Sequence, residues 1–475
     1  MSILATTDLA DDAGRYSRYR IESHHAPDLS PHPPRFAVKV SRLALARLLL
    51  RELVEHRGNL RVVLSRPCVY GVFSGPVGGF APRERLCVGC LRCTVEYPDV
   101  VQIRPNPDRE RLGDAFLRPD DVDAILYEAR SGRVPVRGAG YRGRFGGEGW
   151  DGIWTDMSEI VRPTRDGIHG RETISTEVDL GIFPPFLRFD AGGAPEGRIP
   201  RFFTIAVPFL FDLPPRSVES RALYRILAEA ARQLDTLAVV PATLTTSDPD
   251  LRGRHVVPVL SVTEWRAVDD ITWRPRMLML DGWDRARFDE LTRRFPESVV
   301  AVRVPAEADV MAFVREGARV LHLVADYHAR AGGRFAGDVI RSVHGRLVQE
   351  GLREEVTLLG SGGIARPEHL AKAIVCGLDA AALDVAVCVA LQGRLTGECR
   401  DRDSCRVELE RPDPRWAVQR LANLAASWRD QLLEVLGAMG LREVRRLRGE
   451  LGRALFQAEL EREAFAGIRG YEPRT

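Results

Sequence analysis

The chain has 475 residues, 45% hydrophobic and 28% charged, enough for two to four domains and a large core. A formal charge of +2 and modest aromatic content argue against nucleic acid as a partner. No run of about 18 uncharged apolar residues argues for a membrane span, and the acidic start MSILATTDLADDAGRYSRYR is unlike a signal peptide. A cytoplasmic protein is expected.

Residues 1–35 are polar, end in SPHPPR and are read as a mobile arm. The stretch VSRLALARLLLRELVEHRGN has apolar residues at helical spacing and predicts a helix stopped by Gly58. Next comes RPCVYGVFSGPVGGFAPRERLC, rich in glycine and proline, which predicts loop. It runs into LCVGCLRCTVEYPD, where Cys87, Cys90 and Cys93 have the C-x2-C-x2-C spacing of a bacterial iron–sulfur site. The usual fourth cysteine before the proline is replaced by Tyr97. Zinc sites pair two C-x2-C halves, so three close thiolates favour iron–sulfur. Cys68, on the loop leading in, is the candidate fourth ligand of a [4Fe–4S] cluster; a three-iron cluster without it is the alternative. This iron–sulfur region is read over residues 36–140, with RPDDVDAILYEARSG as a short helix ending at Gly132.

Residues 141–200 form a glycine-rich connecting segment of weak periodicity. Its charged stretch DMSEIVRPTRDGIHGRE, with Asp156, Glu159, Arg162, Arg165, Asp166 and Arg171, is read as a salt-bridged clamp, or as a loop lining a passage between cluster and barrel. From Arg201 the pattern changes to short apolar runs separated by amphipathic stretches: FFTIAV, TLAVVPA, HVVPVLS, RMLMLD, SVVAVRV, RVLHLV, VTLLG and AALDVAV. Eight strands with crossovers over 201–395 predict a (β/α)8 TIM-type barrel, with a doubly wound sheet as the alternative. Residues 396–475 are read as C-terminal helices split at Gly440. In VTLLGSGGIARPEHL the turn after the seventh strand could gather backbone N–H groups on a phosphate at a helix start, or be only a tight turn. Cys376 and Cys388 are read as core residues, and Cys399 and Cys405 as incidental thiols on a solvated loop. Asp326 and His328 are read as polar site residues or loop stabilisers.

The segments WTDMSEIVRPTRDGIHGRE, ISTEVDLG, LGSGGIARPEHLAKAIVCGLDAAAL and LANLAASWRDQLLEVLGAMGLREVRRLRG resemble the FMN-binding synthase domain of glutamate synthases. The cysteine segment is similar to ferredoxin-like extensions on short members. The resemblance implies a barrel holding FMN, with electrons arriving through iron–sulfur and leaving as a hydride to an imine of a 2-oxo acid. It implies Ser361, Gly362 and Gly363 at the FMN phosphate, and Arg303 where the family has a strand-end lysine near the flavin. It also implies an electron-donor protein, a 2-oxo acid or amino acid as substrate, an oligomer, and a separate glutaminase-like subunit or free ammonia. Cys399 and Cys405 would be remnants of the family's C-terminal cluster motif.

Departures stand beside the resemblance. ATLTTSDPD replaces the family's GEGG stretch, ADYHARAGGR its GGTGA turn, and Leu383 with Asp384 stands where glycine should meet the phosphate. These changes support a second expectation, a flavin-free assembly or electron-relay subunit. An unrelated flavin or phosphate-binding barrel is the third.

Overall fold

The computed structural model describes residues 19–61, 68–74, 78–135, 146–156, 173–183, 189–194, 196, 201–261 and 263–470. The stretch from Glu159 to Arg171, read above as a clamp, lies outside them. The chain divides into two compact units, Leu29–Gly113 and the remainder.

The smaller unit opens with strand β1 (Phe36–Val40), paired antiparallel with β2 (Val101–Pro105). Helix α1 (Arg42–Glu55) follows, its Ser41 side chain accepting from the Ala44 amide. Gly58 sits at φ +74, a conformation that ends the helical run as the sequence predicts. A short helix α2 (Arg92–Glu96) carries Cys93. The buried core of this unit is Val38, Val72, Cys87, Val100 and Val101.

In the larger unit eight parallel strands close into a barrel: β3 (Phe209–Phe211), β4 (Ala238–Pro241), β5 (Val256–Ser261), β6 (Met277–Asp281), β7 (Val299–Pro305), β8 (Val320–Val324), β9 (Thr357–Ser361) and β10 (Ala380–Leu383). Closure comes from β10 beside β3, with Ala381 opposite Phe209. These strands are buried on both faces, which is why they appear in the sequence as unbroken apolar runs. Seven of the eight expected strands take their places. The expected first one does not: Phe202–Ile205 leaves the barrel to pair antiparallel with Val178–Gly181, and the three-residue β3 closes the ring instead.

Outside the barrel, helix α3 (Pro119–Ser131) packs against α6 (Pro414–Ala438), the Trp428 indole donating to Glu128 at 2.9 Å. Between them in sequence, α4 (Arg221–Gln233) starts at Ser220, whose hydroxyl accepts from the Leu223 amide, and α5 (Pro367–Cys376) starts on a proline. The C-terminal region is one 25-residue helix followed by short turns and a nine-residue helix, rather than two helices meeting at Gly440. Residues 19–28 lie along this layer, where the Arg420 guanidinium donates to Ala26 O and Asp28. Among the described residues no helix is long and apolar enough to cross a membrane.

Candidate functional site

In the smaller unit the chain reverses sharply around Cys90, with Gly89 at φ +70 and Leu91 at φ +60. A Cβ on Gly89 would stand 2.4 Å from the Phe36 ring, so only glycine fits there. Cys87 is buried in the small core, Cys68 and Cys93 pack against it, and Cys90 is exposed. Tyr97, at the position of the missing fourth cysteine, packs on the same core. Burial holds the Cys93 thiol above its usual range, and the neighbouring Cys87 and Cys90 add to this. None of the four is disulfide-bonded. Among the described residues the one set of three ligand atoms within 4.8 Å of each other is Asp114, His328 and Glu398. The four thiols are thus spaced more widely than one metal ion requires. The small core carries three of the four cysteines, Cys68, Cys87 and Cys93, while Cys90 is exposed.

At the C-terminal ends of the barrel strands a polar cluster spans the mouth. The Arg303 guanidinium on β7 lies 3.4 Å from Asp212, just past β3, and 3.5 Å from Asp281, the last residue of β6. His322 on β8 places Nε2 3.1 Å from the Ser361 hydroxyl and 3.7 Å from Asp212. Burial opposes ionisation of Asp212, yet Arg303 and His322 outweigh it and hold the carboxyl below its usual range. Burial, reinforced by Arg303, pushes His322 down to about 4. Asp384, which follows β10, is pushed up to about 7 by burial and by Asp212. Tyr327 is raised by burial first and then by Asp384 and Asp212. Two carboxylates with opposite shifts thus stand at the mouth with a histidine whose protonation burial disfavours. Arg303 Nε and His322 Nδ1 are buried without hydrogen-bond partners among the described residues.

The turn Ser361–Gly363 has Gly362 at φ +119 and Gly363 at φ +65. Their Cβ positions are closed by the chain itself: 2.7 Å from Ala325 Cβ for Gly362, and 2.7 Å from Ala329 Cβ for Gly363. The Ser361 hydroxyl is engaged by His322. Between this turn and Asp384 lies a cavity of about 10 Å³, lined also by Phe116 and Tyr327. That volume holds about one water molecule. A phosphate dianion placed there would also meet a region where carboxylates already crowd one another. Arg303, for its part, is engaged by two carboxylates.

A larger cavity of about 280 Å³ opens at the start of α5, lined by Phe116, Arg118, Asp121, Trp150, Asp151 and His369. His369 is used at both nitrogens, accepting from the Ala365 amide at 3.3 Å and lying 3.1 Å from Asp151.

Cys376 and Cys388 are fully buried core residues. Cys399 and Cys405 are not incidental thiols on a solvated loop: both are buried and bonded to each other. Asp326 stabilises its loop, accepting from the amides of His328 and Arg330. His328 pairs with Asp114 at 2.8 Å. Asp212, Asp281 and His322 were not singled out from sequence. Their signal was available, because FLFD and MLMLD are apolar strands closing on an aspartate at the barrel end where sites are built.

Residues 336–442 match the family model described as a conserved region in glutamate synthase. An archaeal-type glutamate synthase [NADPH] of Dehalococcoides mccartyi is 25% identical over 439 residues, covering 77% of this chain and 86% of the relative. An archaeal glutamate synthase [NADPH] of Methanocaldococcus jannaschii is 38% identical over 133 residues, 26% of each chain. Among solved structures, a mutant flavocytochrome b2 with pyruvate bound aligns at a TM-score of 0.39 and 11% identity, over 68% of this chain and 90% of that one. The matched region holds β9, the glycine turn, α5, β10 and all of α6, and the first relative extends the likeness over most of the sequence, so the chain is similar to glutamate synthases along most of its length.

Proposed function

We propose that this chain works in a glutamate synthase-type oxidoreductase as an iron–sulfur, electron-relay or assembly subunit whose barrel does not carry flavin. The observation that supports it is the pairing of two sites: three cysteines on one small core with an exposed fourth, Cys90, between two of them in sequence, and a barrel mouth filled by its own charged side chains. Cys68, Cys87, Cys90 and Cys93 would hold the cluster, which supplies one-electron transfer when bound. The protein's part is to bury Cys87 in the apolar core while leaving Cys90 at the surface, where an electron-donor protein could reach it. In the barrel, Arg303, Asp212, Asp281 and His322 hold one another, and no step is assigned to them.

A second reading has one observation in its favour: the glycine turn keeps two left-handed glycines within the matched family region. On that reading the chain is an FMN-dependent enzyme forming glutamate or a related amino acid from a 2-oxo acid and ammonia. Asp384 and the packing of the turn would first have to give way.

One anaerobic preparation decides between them. Iron and acid-labile sulfide near four per chain, with a broad brown band and no FMN released on denaturation, is the expected result. Stoichiometric FMN would replace the first reading with the second. A colourless protein without iron would end both.

A further inference from the structure

We propose that Asp114, His328 and Glu398 form a binding site for a divalent transition-metal ion of the zinc class on the rim of the barrel mouth. His328 Nε2 lies 2.8 Å from Asp114 Oδ2 and 3.9 Å from Glu398 Oε2, and all three ligand atoms fall within 4.8 Å of one another. One imidazole and two carboxylates suit a borderline ion such as zinc, and leave a coordination position open to water or a ligand oxygen.

What raises this group above a chance meeting of polar side chains is how firmly its members are held. Asp114 accepts three backbone N–H groups: Phe116 at 2.9 Å, Leu117 at 2.7 Å and Cys399 at 3.0 Å. Such outer contacts fix a carboxylate in place before an ion arrives. His328 stacks on Phe116, ring centroids 5.5 Å apart at 15°, and its amide donates to Asp326. Glu398 is next to Cys399, whose disulfide to Cys405 pins the loop that carries it.

The ligands also come from three separate stretches: the approach to α3, the loop after β8, and the loop after the helix that follows β10. One of them, the loop carrying His328, leaves a strand end where barrel proteins place their chemistry. A second observation concerns the space beside it: Asp114, with Cys399, also lines the small cavity between Asp384 and the glycine turn, a space of ionic size next to one of the three ligands. A plain hydrogen-bonded latch between loops would need His328 and Asp114. It would not need Glu398, which is mostly exposed and otherwise solvated.

For zinc to bind, His328 must present an unprotonated Nε2 and move its ring proton to Nδ1, releasing Asp114 Oδ2 from that hydrogen bond. The three backbone donors to Asp114 remain in place.

The test uses full-length protein prepared without oxygen, its iron measured, and loose ions removed with a chelator. Equilibrium dialysis against Zn²⁺ with elemental analysis should show one zinc per chain beyond the iron, and saturating zinc should raise the melting temperature. His328→Ala should lose at least about tenfold in zinc affinity together with the thermal shift. Glu398→Gln changes an exposed side chain and keeps the fold testable; it should also weaken zinc by about tenfold with iron content unchanged. Equal zinc retention in wild type and both variants would place the ion on the cysteines and overturn the site. No retained zinc in any of them would leave His328–Asp114 as a latch and overturn it equally.

Discussion

The two units reach stability by different routes. The barrel unit buries a continuous core running through β3–β10, α3, α4, α5 and α6. The smaller unit buries seven of its described residues, five of them in one core cluster, and the 14-residue helix α1 has none buried. Leu43, Val54, Val69 and Val95 are all exposed. Between Leu29 and Gly113 the sequence carries fourteen Arg and Lys against seven Asp and Glu, while the whole chain is nearly neutral. About 85 residues with so thin a core fall short of what hydrophobic burial usually supplies, and small domains of this kind lean on a metal or another staple. The lesson is that the cysteines belong to the fold of the first unit, whereas the barrel's charged mouth is carried by a core that does not depend on it.

The largest expected effect separates the units outright. Removing the iron, or replacing Cys87 with Ser, should abolish amide protection in β1 and β2 and leave the barrel strands protected. Hydrogen exchange with mass spectrometry reads both at once. Loss of protection in β6–β9 as well would mean that the units are not independently stable. Within the barrel unit, Arg420 is fully buried and holds Ala390 O at 2.5 Å, Ala26 O at 3.1 Å and Asp28 at 2.9 Å. Arg420→Met should cost about 3 kcal/mol, because it strands several carbonyls and leaves Asp28 to its ion pair with Arg130. Denaturant unfolding measures it, and protection of β1 and β2 should not change.

These regions were legible in the sequence to different degrees. Parallel strands buried on both faces leave long apolar runs, so β6 and β7 could be placed to within a residue or two. β3 could not, since three residues after a proline carry no period, and FFTI beside it offered a stronger strand pattern whose real partner is Val178–Gly181. Cysteine spacing made Cys87, Cys90 and Cys93 candidate cluster ligands, because an iron–sulfur cage constrains neighbours in the chain. The Cys399–Cys405 bond was hidden, as two thiols six residues apart pair only if the loop between them closes. The mouth was half visible: Arg303 was singled out by the resemblance, which implies a strand-end lysine there, while its partners Asp212 and Asp281 come from other strands whose alignment only closure of the barrel decides.

A smaller effect, sensitive to pH, examines the mouth alone. Asp384 in the folded protein titrates near 7 through burial and the nearby Asp212, above its value in the unfolded chain. The folded state therefore holds a proton that the unfolded state has lost between about pH 4 and 7, and stability from this group falls as pH rises through that window. Asp384→Asn keeps an oxygen for the Val385 amide but removes the charge. It should be more stable than wild type by on the order of a few kcal/mol at pH 8, with the advantage vanishing near pH 4. A constant difference across pH would show that Asp384 does not titrate in this window. His322, pushed down to about 4, works at the other end: below about pH 6.5 the unfolded chain gains a proton that the folded site refuses, so stability drops as pH falls towards 4. His322→Gln should flatten that acid limb.

The smallest effect sets the two groups of cysteines against each other. The Cys399–Cys405 bond closes a short loop whose Arg402 and Asp403 pair with Glu219 and Arg216 near the end of β3. Loop-closure entropy for so short a ring is worth about 2 kcal/mol, more than the surface pairs it carries. Cys405→Ser should therefore lower stability by about 2 kcal/mol under non-reducing conditions. With a thiol reductant present wild type and variant should converge, because the wild type loses the same bond. Iron content and the protection of β1 and β2 should not respond to that reductant, since thiolates bound to iron have no disulfide to lose. If the reductant instead released iron, or if Cys405→Ser removed protection from the smaller unit, the separation drawn between a metal-stapled unit and a self-sufficient barrel would fail.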